Sequence, residues 1–90
     1  MTNKRKLKQM INNVCSELFS ECVAASLYDG KPDEETVNAL LSSILVMQGD
    51  FLTRVSHPEP GMPAQQYFKT LTNDFNKHVN EIIDQIQNLS

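Results

Sequence analysis

Cysteine, histidine and serine are the residues here that could act as nucleophile, metal ligand or proton carrier, and their spacing limits what they can do. Cys15 and Cys22 lie seven residues apart in one helical pattern. On a helix their Cα atoms stand about 10 Å apart, beyond the roughly 4.4–6.8 Å that a disulfide spans. They are expected as buried free thiols. His57 and His78 belong to different elements, about 20 Å apart along the axis by helical rise, so they cannot share a metal ion within one chain. Neither has a zinc-ligand partner at a spacing such as C-x₂-C or H-x₃-H. His78 follows Asp74 by four residues, which allows an i,i+4 contact, and packing accounts for it. Ser16, Ser20, Ser42 and Ser43 have no histidine at a matching height with an acid behind it. No G-x-S-x-G, phosphate-binding loop, H-E-x-x-H or glycine-rich dinucleotide turn occurs. The reading is a chain with no catalytic residue, no metal, no cofactor and no small-molecule substrate, hence not an enzyme.

The elements that position these residues are three apolar stripes at helical spacing. Leu7, Ile11, Val14, Leu18, Cys22 and Ala25 form the first; Val37, Leu41, Ile44, Phe51 and Val55 the second; Phe68, Leu71, Phe75, Val79, Ile82, Ile86 and Leu89 the third. Steps of three and four residues are what a buried helix face needs. The stripes predict helices at about 4–28, 34–56 and 64–89. Asp29-Gly30-Lys31-Pro32 makes the first break, with Gly30 as a left-handed stop and Pro32 blocking continuation. Asp33 is placed to cap the second helix, Glu34 and Glu35 sit at its positive end, and Pro32 with Val37 forms a hydrophobic staple. Gly49 costs the second helix about 1 kcal/mol relative to Ala, and serves either close approach of a neighbour, a kink, or nothing. The second break, Ser56 to Pro63, holds three prolines and is expected to be stiff and extended.

Ninety residues make one domain, 1–90, with room for one modest core. Matched helices joined by short connections give an all-α, up-down-up antiparallel three-helix bundle. Its expected core is Leu7, Ile11, Val14, Leu18, Leu41, Ile44, Phe51, Leu52, Phe68, Leu71, Phe75, Ile82 and Ile86. Gln48 breaks the apolar rule at the middle of the second stripe. Antiparallel pairing puts it level with Thr72 and Cys15, so Gln48 and Thr72 are expected as a polar pair in the core, one that fixes register.

The longest apolar run, Ile44-Leu45-Val46-Met47, is far short of a membrane span. No secretory h-region follows Lys8, so the chain reads as cytoplasmic, with no membrane partner. Lys4, Arg5, Lys6 and Lys8 give a basic tip. From Pro32 to Pro60 the lone cation is Arg54, against Asp33, Glu34, Glu35, Asp50 and Glu59. A polyanion-binding face is broad and basic, so this distribution argues against a nucleic-acid partner. A nucleic-acid-associated regulator working through the basic tip is the alternative function.

The stretches Asn13–Ala25 and Ser56–Met62 resemble small uncharacterised all-helical bacterial proteins, a resemblance that implies the helical fold and no activity. The function expected from the residues themselves is a protein–protein interaction module whose partner is another protein or a second copy in a homodimer. Phe19, Val23 and Leu27 recur at four-residue steps on the margin of the first stripe. Left exposed, they make a docking face, with Pro58, Pro60 and Met62 as a second, rigid contact surface.

Overall fold

The computed structural model describes residues 4–27 and 33–89. Three helices carry almost all of them: α1 (Lys4–Ser26), α2 (Glu34–Ser56) and α3 (Ala64–Gln87). They form an up-down-up antiparallel bundle measuring 49 × 19 × 16 Å. All three pairs of helices touch, α1 on α2 most extensively. The first break, with Gly30, Pro32 and the staple, lies outside the described residues. So does Tyr28; α1 ends at Ser26, and Leu27 closes a turn onto the Ala24 carbonyl at 3.1 Å.

The caps follow from side-chain chemistry. The Asp33 carboxylate accepts from the Thr36 amide at 3.3 Å and the Thr36 hydroxyl at 3.1 Å. That satisfies one of the amides a helix start leaves free. Glu34 and Glu35 fill the first turn and Arg54 the last, both with the helix dipole. α1 does the reverse: its first turn is basic, with no acid. At the other end of α2 the His57 amide reaches the Thr53 carbonyl at 3.0 Å. The Tyr67 hydroxyl donates to the Arg54 carbonyl at 3.0 Å, with the His57 carbonyl at 3.4 Å. Tyr67 thus ties the start of α3 to carbonyls that α2 leaves unpaired.

The second connection is a tight turn where an extended segment is expected. The Met62 amide meets the Glu59 carbonyl at 3.4 Å, and Gly61 has φ +87°. Proline second and a positive-φ glycine third is the type II turn pattern. The prolines do limit the backbone, but Gly61 reverses it.

The core runs the length of the bundle. Ile11, Cys15, Cys22, Ile44, Phe51, Val55 and Phe75 are the most completely enclosed. Phe51 and Phe75 meet edge to face at 5.2 Å between ring centres, a favoured aromatic geometry. Three expected core residues, Val14, Leu41 and Leu52, are half-buried at its margins. Leu40 and Met47 are buried in their place. The reason is rotation: α2 turns Val37, Leu40, Ile44, Met47, Phe51 and Val55 inward, because it must fill against α3 as well as α1.

That rotation moves Gln48 off the middle of the stripe. It is half-buried, and its Nε2 donates to Asn12 Oδ1 on α1 at 2.8 Å. The Thr72 hydroxyl instead bonds the Phe68 carbonyl of its own helix at 2.8 Å. The Gln48–Thr72 core pair does not form, although Gln48 does lie at the level of Cys15, both lining one groove. Gly49 is exposed in a continuous helix, with nothing within 4 Å of where a Cβ would stand. It serves neither close approach nor a kink. Among the described residues no helix is long and apolar enough to cross a membrane.

Candidate interaction surfaces

The chemistry-bearing side chains stay apart. Cys15 and Cys22 are free and buried, and burial pushes both thiols up from the ordinary value. A thiol held protonated is a poor nucleophile and a poor ligand. His57 caps α2 through its backbone, whereas His78 sets its imidazole edge-on to Phe51 at 5.5 Å. Packing on Phe51, not Asp74, is the ring contact that fixes His78. The Ser43 hydroxyl bonds the Ala39 carbonyl at 2.9 Å. Among the described residues no three acids, histidines or cysteines converge on a metal-sized site.

What the fold exposes is apolar surface. On α1, Phe19 is half-buried against the core, Val23 is 37% exposed, and Leu27, just past the helix, is 80% exposed. The three do form a ribbon, grading outward from Phe19. Beside it on α2 stands Leu45, 55% exposed, whereas Val46, 71% exposed, lines a separate groove with Met47 and with His78 of α3. Phe19, Leu45 and Gln48 share a shallow open groove of about 300 Å³ between α1 and α2, with Ser16 and Ser20 at its edge. The rotation that buries Leu40 and Met47 also turns Leu45 further out.

Leu45 and Val46 are absent from the expected docking residues. The signal for them is in the sequence: between Glu35 and Asp50, α2 has no charged residue. An exposed helix face normally carries charge. Here Asn38, Ala39, Ser42, Ser43 and Gly49 surround the two apolar side chains, all exposed. The charged residues nearest in sequence pair among themselves, Arg54 to Asp50 at 3.0 Å, with the guanidinium 4.8 Å from the centre of the Phe51 ring.

The residues of the second expected surface lie together. Pro58 and Met62 are half-buried and Pro60 is exposed. They form one wall of an open groove of about 660 Å³ whose opposite wall includes Tyr67, Thr70 and Asp74 of α3. It is a shallow, mixed surface at one end of the bundle, on the far side of α2 from the Phe19–Leu45 groove. The structure therefore does not merge the two expected patches into one. No family model, curated protein or solved structure matches the chain.

Proposed function

We propose that this protein is a protein-interaction module that works through the α1–α2 face. One observation carries the reading: Leu45 stands exposed on a helix stretch without charge and shares a groove with Phe19 of α1. Soluble chains limit contiguous exposed apolar surface, and binding proteins concentrate it where a partner covers it. Leu45 lies outside the core, so packing within the chain does not account for it.

The test is a photo-crosslinking amino acid at Leu45 in the native cell, with the same group at Gln85 on the exposed side of α3 as control. A discrete adduct from position 45 that position 85 does not give supports the module, whether its mass is that of two chains or of the chain plus another protein. Equal or absent adducts at both positions would refute it.

A further inference from the structure

Resting on that reading, we infer that the α1–α2 face binds a second copy of this chain, turned end for end. The argument is the order of charges along the face. The basic residues Lys4, Arg5, Lys6 and Lys8 gather in the first turns of α1, and the acids Asp33, Glu34 and Glu35 at the start of α2. Because α1 and α2 run antiparallel, these two clusters lie at opposite ends of the bundle. Between them the face presents Ser16, Phe19, Ser20 and Leu45, which share one groove, and Val23, all uncharged.

The register of α1 on α2 is given by the Gln48–Asn12 hydrogen bond and the groove shared by Leu45 and Cys15. From the level of Leu45, Glu34 and Glu35 are about 16 Å away along α2, by helical rise. From the same level on α1, Lys8 and Lys4 are about 10–17 Å away in the opposite direction. A two-fold axis through Leu45, perpendicular to the bundle, therefore lays the basic end of each copy on the acidic end of the other. The apolar centre meets itself, which is what an isologous interface requires. A parallel pair would stack base on base and acid on acid.

Two further features agree. Lys4 at the start of α1 opposes the dipole of that helix, and an acidic end of a second copy offsets that. A side of the bundle 49 Å by 19 Å offers on the order of 900 Å², close to the roughly 800 Å² each partner gives a standard interface.

Sedimentation velocity over a concentration series tests the inference on the full chain. The wild type is expected to reach twice the 10.2 kDa of one chain. Lys4→Glu with Lys8→Glu, and separately Glu34→Lys with Glu35→Lys, should each weaken the dimer at least about tenfold by apposing like charges. An equimolar mixture of the two variants should associate again, which also shows that both fold. Direction is read by oxidation of engineered cysteines: Ser16→Cys, beside Leu45 and near the axis, should cross-link to itself, whereas Ser56→Cys, far from it, should not. A wild type that stays monomeric, charge variants that associate like wild type, or equal cross-linking at both positions would overturn the proposal. A monomeric chain that still cross-links another protein through position 45 in cells sinks this inference alone. Loss of both results sinks the interaction reading as well.

Discussion

Replacing Phe75 with alanine empties the centre of the bundle. Phe75 is 1% exposed, and its ring lies 5.2 Å from that of Phe51 at an interplanar angle of 71°. Truncating a buried Phe costs about 3–5 kcal/mol, transfer and cavity together. The edge-to-face pair places Phe75 toward the upper part of that range, since such pairs contribute about 0.5–1.5 kcal/mol beyond burial. The cavity has little means of closing. Its wall includes Phe51, which is also held by the His78 ring and lies beneath the Arg54 guanidinium. A chain of 90 residues has a total stability of roughly 5–13 kcal/mol. The variant should therefore lose a third or more of it. With a urea slope of about 1–1.5 kcal/mol/M for this size, the midpoint should fall by about 3–5 M. The assay is urea unfolding followed by helical circular dichroism at one fixed protein concentration, since self-association shifts apparent stability. A loss below about 1 kcal/mol with an unchanged slope would mean that α3 presents a different face to the core.

Asp33→Ala removes the acceptor for the Thr36 amide and hydroxyl, and should cost about 1 kcal/mol in the same assay; no change would mean the first turn of α2 is satisfied by water alone. Gly49→Ala should raise stability by about 0.5–1 kcal/mol, because the site is helical, exposed and has open space for a Cβ; a fall would show that the site is sterically closed. Burial raises the Cys15 and Cys22 thiols above 9.0 in the folded chain. Above that pH the unfolded chain sheds protons that the folded chain keeps, so stability is full below it and declines as pH rises further. Urea midpoints from about pH 8 to about pH 10 should fall more steeply for the wild type than for the Cys15→Ala, Cys22→Ala variant; parallel slopes would contradict the burial. Thiol-specific labelling of the native protein at neutral pH should be slow and should quicken with urea as the helices open.

Much of the fold is local, and local pattern is what a sequence displays. Helix periodicity, the Asp33 cap and the proline break at 58–63 depend on residues a few positions apart, and α2 and the start of α3 fall where those signals put them. The impossibility of a Cys15–Cys22 bridge was equally legible, since helical rise alone decides it. The ribbon of Phe19, Val23 and Leu27 could be read as the outer margin of an arc wider than two neighbours cover.

Facing and register were decided elsewhere. The residues of α2 support two overlapping stripes, one centred on Gln48 and one on Ile44. Periodicity does not distinguish them, because both repeat at three and four residues. Packing against α3 selects the stripe with Leu40 and Met47, and the same rotation sends Gln48 to Asn12 and turns Leu45 further out. Tyr67 reaching the Arg54 carbonyl likewise depends on how closely the Pro60–Gly61 turn folds α3 back onto α2. Three helices, the Asp33 cap and a core built from one face of each helix follow from short-range spacing, and so from residue order alone. Which side of α2 stays outside was settled by packing, since that choice minimises exposed apolar surface over two neighbours at once, and no window along one helix contains both.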